Sequence, residues 1–288
     1  MITASLVNEL RKKTNAGMMD CKKALTETNG DLDAAVKWLR EKGISKAAGK
    51  ADREASEGII AARLSDDGKS GILIEVNCET DFVSRNDNFI SFVDKIADAL
   101  AASDAKTLED ALKVNVGDLT VEDFVKTKVI ELGENMQLRK FERFSIEGEG
   151  AIAQYIHMGG KVGVLVEVSA NQGATAAKNE FKELAKDVTL HIAASAPKGL
   201  GREDIAPDVI ENERSIFRVQ LENEGKPAQI IEKIIEGKLA KFFAENTLLE
   251  QGFVKDPDTT IKKLVETTST QLGDDLVIRR FVRFGLGE

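Results

Sequence analysis

Apolar positions recur at helical spacing along the first forty residues. Thr3 stands before Leu6, Val7 and Leu10, which share one face at i, i+1 and i+4. Asn15-Ala16-Gly17 interrupts the pattern, and Met18, Cys21 and Leu25 resume it until Asn29-Gly30, a pair able to take positive φ at a helix end. Asp31 then precedes Leu32, Ala35, Val36 and Leu39 as a cap, and Gly43 is expected to close this third helix. Three short helices make a bundle of marginal size. Residues 46–57 are rich in Ala, Gly, Lys and Glu, hold no large apolar anchor, and read as a linker.

Beyond the linker the chain repeats itself. Shifted by 92 positions, residues 58–105 lie over residues 150–197 without a gap. Gly68-Lys69 meets Gly160-Lys161, Leu73 and Val76 meet Leu165 and Val168, and Phe89 meets Phe181. A shift of 140 lays Leu132-Gly133 and Arg139-x-Phe141-x-Arg143-Phe144 over Leu272-Gly273 and Arg279-x-Phe281-x-Arg283-Phe284. One unit is therefore used twice, and the second use carries 48 extra residues, the difference between the two shifts.

Within the first copy, residues 58–64 alternate small and apolar side chains, Ser65-Asp66-Asp67-Gly68 is a hairpin turn, and Ile72, Ile74 and Val76 share one side of the next strand. Phe89, Val93, Ile96 and Leu100 recur at 4-3-4 spacing, a helix face. A closing strand over residues 137–146 is expected to alternate Leu138, Lys140, Glu142 and Phe144 against Arg139, Phe141, Arg143 and Ser145. The fold class is α+β: small antiparallel three-stranded sheets, each with helices over one face. In the insertion, Val209, Ile210, Ile216, Phe217 and Leu221 form one stripe and Ile231, Ile235, Leu239 and Phe242 another, parted by Gly225-Lys226-Pro227. Two antiparallel helices follow from this. They could lie flat on the core or project as an arm. The expected division is 1–43, a linker over 44–57, one core unit over 58–147, a second over 148–205 and 252–288, and the hairpin over 206–251.

Composition then narrows the function. With 42% apolar and 31% charged residues in 288, the chain is neither disordered nor membrane-embedded, and no apolar run approaches the ~20 residues of a spanning helix. The N-terminus shows no basic stretch followed by an apolar core, so no secretory signal is expected. A net charge of −9 argues against a general nucleic-acid binder. Two cysteines, Cys21 and Cys78, cannot build a disulfide framework and suit a reducing compartment. Two histidines and no C-x-x-C argue against zinc, and no metal or cofactor is called for. Gly68-Lys69-Ser70 ends like a phosphate-binding loop, but position 63, where that motif needs glycine, is Arg63. Cys78 has no histidine near it in sequence, and cysteine is more often simply buried. His157 falls in the second hairpin turn and His191 on a helix face, neither in ligand-like company.

Comparison of the copies isolates one segment. Copy one reads Asn77-Cys78-Glu79-Thr80-Asp81-Phe82-Val83 where copy two reads Ser169-Ala170-Asn171-Gln172-Gly173-Ala174-Thr175. A scaffold that accepts Gly-Ala there has no structural need for Asp-Phe, so Phe82 is read as offered to a partner. Met18 and Met19 are adjacent and cannot both face inward on one helix; exposed methionine suits an adaptable binding surface.

These residues carry a family resemblance. Leu6-Val7-x-Glu9-Leu10-Arg11-x-x-Thr14-x-Ala16-Gly17-Met18-Met19-Asp20-Cys21-Lys22-Lys23-Ala24-Leu25 and Asn77-Cys78-Glu79-Thr80-Asp81-Phe82-Val83 resemble the two signatures of the bacterial translation elongation factor Ts family. The likeness continues through Ala193-Ala194-Ser195-x-Pro197, Gly225-Lys226-Pro227 and Phe253-Val254-x-x-Pro257. It implies a ubiquitin-associated-like (UBA-like) three-helix N-terminal domain, a duplicated core and a coiled-coil hairpin. The implied role is guanine-nucleotide exchange on elongation factor Tu carrying GDP, in the bacterial cytoplasm, without covalent chemistry. The implied contacts are Thr80, Asp81, Phe82 and Val83, whose ring disturbs the partner's magnesium and nucleotide site; Arg11, Met18, Met19 and Lys22 on the N-terminal domain; and Leu132, His157 and Val254 on the core. A homodimer or a heterotetramer with the partner fits the family, with no direct contact to nucleic acid or membrane. Some relatives continue into a further C-terminal helix; this sequence stops at Glu288, so that contact is expected to be absent or replaced. The alternatives are a peptide- or protein-binding adapter with no effect on nucleotide, and a hydrolase using Cys78.

Overall fold

The computed structural model describes residues 2–14, 16–48, 50 and 52–288, with the backbone alone at residues 40 and 43–48. Met1, Asn15 of the first helix break, and Gly49 and Ala51 of the linker lie outside the described residues.

Three helices open the chain: α1 (Ala4–Thr14), α2 (Met18–Glu27) and α3 (Leu32–Ala48). The Leu6 amide donates to Thr3 Oγ1 at 3.3 Å and the Ala34 amide to Asp31 Oδ1 at 2.9 Å, so both caps form. Asn29 and Gly30 take φ 53° and 86° after α2. Val7, Leu10, Cys21, Ala24, Leu25 and Ala35 make a small shared core. The expected stop at Gly43 is corrected: α3 runs five residues past it. A lone glycine costs a helix only about 1 kcal/mol relative to alanine, and good helix formers follow it here.

The first core unit contains β1 (Glu57–Leu64), β2 (Ser70–Cys78), α4 (Asp81–Ser84), α5 (Asp87–Ala101), α6 (Leu108–Lys113), β3 (Asn115–Val116), β4 (Leu119–Thr120), α7 (Val121–Leu132) and β5 (Met136–Ser145). The second contains β6 (Glu149–His157), β7 (Val162–Ala170), α8 (Gly173–Ala176) and α9 (Asn179–Ser195). The helical hairpin α10 (Pro207–Asn223) and α11 (Ala228–Asn246) follows, and then β8 (Gly252–Phe253), β9 (Asp256–Thr260), α12 (Ile261–Leu272) and β10 (Val277–Gly285). Strand orders are β1-β2-β5 and β10-β7-β6, all antiparallel. Equivalent elements begin at equivalent positions: β1 and β6, β2 and β7, and α4 and α8 are each offset by 92, and α7 and α12 by 140. Thr120 and Thr260 cap α7 and α12, which Gly133 (φ 82°) and Gly273 (φ 65°) end.

One face of each sheet meets helices as the periodicity requires. Ile72, Ile74, Val76 and Cys78 pack on Phe89, Val93, Ile96 and Leu100 with Val121, Val125 and Val129; Val164, Val166 and Val168 pack on Phe181, Leu184, Val188 and Ile192. The opposite faces are covered by each other. Ile60, Ala62, Leu73 and Phe144 share one cluster with Ile152, Leu165 and Phe284. This contact is reciprocal throughout. The Ile60 amide donates to the Gly160 carbonyl and the Ile152 amide to the Gly68 carbonyl, both at 2.8 Å. Lys69 pairs with Glu149 at 3.1 Å and Lys161 with Glu57 at 2.5 Å. Lys140 and Arg280 pair with Glu75 and Glu167 in their own units and lie over Phe284 and Phe144 of the other. The halves thus meet as a self-complementary pair, an isologous interface within one chain.

The closing strands correct the expected alternation. Leu138 lies opposite Val76 and Lys140 opposite Glu75, so Arg139 is an extra residue. This β-bulge reverses the phase. Leu138 and Phe141 therefore share the helix-side core, while Phe144 faces the other sheet. A register shift between Ile278 and Arg280 repeats the device.

Helices α10 and α11 pack on one another. Their cluster of Ile205, Leu221, Ile231, Ile235, Leu239, Phe242 and Phe243 includes no residue of either sheet. Arg214 pairs with Glu236 and Arg218 with Glu232 across the hairpin, and Gly199 bridges to Thr247 at its base.

The close sheet approach is testable at its glycines. A Cβ on Gly163 would lie 2.4 Å from Ile60 Cγ2 and 2.8 Å from Leu73 Cδ1, both on buried side chains with no room to retreat. Gly163→Ala is expected to destabilise by about 1–3 kcal/mol. Gly237→Ala, on the exposed side of α11 with nothing within 4 Å, is expected to be neutral or stabilising by up to ~1 kcal/mol. Denaturant unfolding midpoints decide the comparison.

Candidate functional site

Strand β2 turns into helices at Glu79-Thr80, and a carboxylate from elsewhere in the chain holds that corner. Glu134, just beyond α7, accepts the Glu79 amide at 3.1 Å and the Thr80 amide at 3.0 Å on Oε2, and the Thr80 hydroxyl at 2.6 Å on Oε1. The same hydroxyl accepts the Val83 amide at 3.4 Å and so caps α4. The Asn135 amide donates to Glu79 Oε1 at 2.6 Å, which ties the loop back to the corner a second time. The linker reaches the same loop. Asn135 Nδ2 donates to the Arg53 carbonyl at 2.7 Å, and Lys50 Nζ to the Gly133 carbonyl.

On this fixed corner the first turn of α4 displays its side chains. Val83 faces inward and packs against the first core cluster. Asp81 pairs with Arg85 at 3.1 Å, one turn on. The Phe82 ring points to solvent and is 85% exposed. No aromatic or cationic side chain among the described residues stacks on it. In the second unit α8 has the same length and place, with Gly173-Ala174 where Asp81-Phe82 stand. The scaffold therefore closes without the ring.

Sequence reasoning missed Glu134. The signal was present, because the shift of 140 that aligns Leu132-Gly133 with Leu272-Gly273 also aligns Glu134 with Asp274. Asp274 accepts the Asn171 and Gln172 amides, each at 3.1 Å. Both corners are thus clamped by a carboxylate preceding the closing strand.

The other expected contact residues are spread over the chain. Met18 (52% exposed) and Met19 (75%) both lie outside the bundle core at the start of α2, with Lys22 one turn on and Arg11 exposed on α1. Helix α3 packs on α7, which sets the three-helix unit against the helix that ends at Leu132. Leu132 is half-buried on the first core cluster, next to the Glu134 clamp. His157, exposed at the end of β6, stacks against Tyr155, whose hydroxyl lies 3.0 Å from its Nδ1. Val254, 42% exposed between β8 and β9, donates its amide to His191 Nδ1 at 3.2 Å. Of these residues Leu132 alone shares the cluster that Val83 packs against at the Thr80–Val83 corner; the rest form separate surfaces.

The remaining candidate chemistry resolves into structure. Cys78 is buried, its sulfur bonded to the Thr80 carbonyl at 3.3 Å, and burial followed by the nearby Glu134 and Glu57 charges pushes its thiol up to about 12. A thiol so held is not a nucleophile at neutral pH. Lys69 of Gly68-Lys69-Ser70 sits at a hairpin turn, donating to the Gly148 carbonyl and to Glu149. Among the described residues no group of three His, Cys, Asp or Glu could hold a metal, and no helix is long and apolar enough to cross a membrane. A cavity of about 770 Å³ lies between the three-helix unit and α7, lined by Val36, Trp38, Leu39, Leu119 and Ile130 with lysines at its rim.

Comparison with known sequences places this chain in a class of bacterial elongation factors. The sequence matches the family model described as Elongation factor TS over residues 79–288. It is 47% identical to elongation factor Ts of a Nitratiruptor species, covering all of this chain and 93% of that one. It is 46% identical to elongation factor Ts of Clostridium perfringens, covering all of this chain and 94% of the relative, and 44% identical to that of Trichlorobacter lovleyi, covering all and 93%. The chain belongs to the elongation factor Ts family.

The link between His191 and Val254 yields a pH prediction. Nδ1 accepts the Val254 amide, so Nε2 carries the proton and donates to Gln251 Oε1 at 2.9 Å. Burial lowers the His191 pKa from its ordinary 6.5, against the smaller opposing pull of Gln251. The unfolded state then binds more protons, so this contribution is complete above about pH 6.5 and is lost as pH falls through the folded value. The stability advantage of wild type over His191→Gln is expected to shrink between about pH 7 and pH 5, read as the difference in unfolding midpoints across that range.

Proposed function

We propose that this protein is a guanine-nucleotide exchange factor that binds elongation factor Tu carrying GDP and promotes GDP release, with Phe82 as the intruding side chain. Family membership supports the activity, and the exposure of the Phe82 ring on a helix whose duplicate carries Ala174 is the observation that supports its role. An apolar ring held in water by a fixed backbone gains free energy only when a partner covers it.

Thermodynamic linkage sets the rest. A factor that favours the nucleotide-free partner must be weakened by nucleotide in the same ratio. Accelerating release about 10⁴-fold requires lowering the barrier by roughly 5.5 kcal/mol. Burying one phenylalanine supplies about 1.5–3 kcal/mol. Phe82 alone is too weak, so other footholds hold the partner while the ring distorts its magnesium and nucleotide site. Thr80, Asp81 and Val83 belong to the wedge corner; Arg11, Met18, Met19 and Lys22 grip from the three-helix unit; Leu132, His157 and Val254 serve the core. Their dispersal over separate surfaces supports this reading.

In the same reading the three-helix unit is UBA-like and the α10–α11 hairpin is a coiled-coil arm. The division is the expected one of 1–43, a linker over 44–57, core units over 58–147 and over 148–205 with 252–288, and the arm over 206–251, except that α3 carries the three-helix unit on to Ala48 and shortens the linker. The factor acts in the bacterial cytoplasm, where its partner works, as a homodimer or in a heterotetramer with the partner, and its action needs no covalent step.

Stopped-flow release of fluorescent GDP from elongation factor Tu tests the wedge. Phe82→Ala is expected to lower the limiting rate at saturating factor by about 10- to 100-fold, within the range of one buried ring. An unchanged limiting rate removes the wedge, and no release by the wild-type protein would leave an adapter. The combined Met18→Ala and Met19→Ala variant is expected to behave in the opposite way. It should raise the half-saturating factor concentration about tenfold, the effect of a lost grip, and leave the limiting rate unchanged.

A further inference from the structure

One difference between the two corners bears on how the ring is held. Both have the carboxylate clamp on two successive amides. In the second the Thr175 hydroxyl of α8 also lowers the Asp274 pKa, but only in the first does the clamped hydroxyl cap the helix as well. Thr80 gives its hydroxyl proton to Glu134 Oε1 at 2.6 Å, which leaves an oxygen lone pair free to accept the Val83 amide. In the second unit Gln172 occupies that place, and α8 has no side-chain cap. The added relay therefore coincides with the copy that carries Phe82. A glutamine at 134 can keep both amides on its carbonyl oxygen, but its amide nitrogen then donates to the Thr80 hydroxyl instead of accepting from it, so the bond that fixes that proton is reversed and the charge-assisted strength of the clamp is lost.

We propose that Glu134 is a positioning residue for exchange: by fixing the Thr80 hydroxyl it holds the first turn of α4, and hence the Phe82 ring, in the orientation that enters the partner. This rests on the wedge reading above. A four-residue helix has too few internal hydrogen bonds to hold a side chain against a resisting surface. The clamp supplies the missing rigidity from β5's leading loop, which Asn135 and Gly133 also tie to the linker at Arg53 and Lys50. Glu134 itself need not touch the partner.

GDP release from elongation factor Tu, followed by stopped flow at saturating factor, tests this with the full chain. Glu134→Gln is expected to lower the limiting rate about tenfold with little change in half-saturation, the signature of an interaction used in the transition state rather than in binding. Glu134→Asp is expected to restore at least about half of the wild-type rate, because Asp274 makes the two-amide clamp with the shorter side chain. Asp274→Asn removes the matching clamp where no ring is displayed and is expected to leave the rate at the wild-type value, although its unfolding midpoint falls as that of Glu134→Gln does. The double variant Phe82→Ala, Glu134→Gln is expected to be no slower than Phe82→Ala, since a residue that acts through the ring has nothing left to position. Positioning is overturned if Glu134→Gln exchanges at the wild-type rate while Phe82→Ala is slow, if Asp274→Asn slows exchange equally, or if the two losses multiply in the double variant. Should Phe82→Ala itself match wild type, the wedge reading falls and the positioning role with it.

Discussion

The packing of the two sheets against one another governs most of what this fold can be. Each central strand, β2 and β7, is buried on both faces, by helices on one side and by the other half on the other. Such a strand cannot leave its second face to water, so each unit completes the other. The contact is close enough that backbone meets backbone through the Ile60–Gly160 and Ile152–Gly68 hydrogen bonds, and side-chain carbons would collide at Gly71 and Gly163. Glycine at the two matched positions is a requirement of the interface, whereas the lysine–glutamate pairs at its rim, being largely solvated, contribute orientation more than stability.

An internal pair of this kind separates scaffold from function. Duplication supplies two corners of the same geometry, each clamped by a carboxylate, and only one needs to carry the aromatic side chain. The other copy is free to accept an insertion between α9 and α12, and α10–α11 stands there with a hydrophobic cluster of its own. The features that the proposed function assigns to the partner come from three places that fold by different contacts: a small helical core, the corner of one sheet unit, and the turns of the other. Spacing them apart lets binding free energy gathered at several sites act on one. A single compact patch would bury the ring without leverage.

Much of the candidate site was legible in the sequence because the repeat works as an internal control. Ala174 in the place of Phe82 showed that the ring is not needed for folding, and its exposure agrees with that inference. Met18 and Met19 were legible for a steric reason, since neighbours on a helix point about 100° apart. The clamp was not read. A glutamate before a strand is an ordinary surface residue until the chain folds back across more than fifty positions and brings it to two amides. His191 was equally opaque: on the linear chain it is one more position on a helix face, and in the fold it orders the loop that displays Val254.

The division between sequence and tertiary structure follows the range of the forces involved. Helix caps, hairpin turns and the length of the inserted hairpin all follow from local spacing, and they are determined by the sequence alone because caps and periodic faces act within a few residues. Where α3 ended was a weaker local matter, since one glycine does not outweigh the residues after it. The bulges at Arg139 and Arg279, which turn Phe144 and Phe284 toward the opposite sheet, were decided only in three dimensions. So were the glutamate clamp and the burial of the second sheet faces. Each depends on groups distant in sequence competing for the same space, and no pattern along the chain records which of them meet.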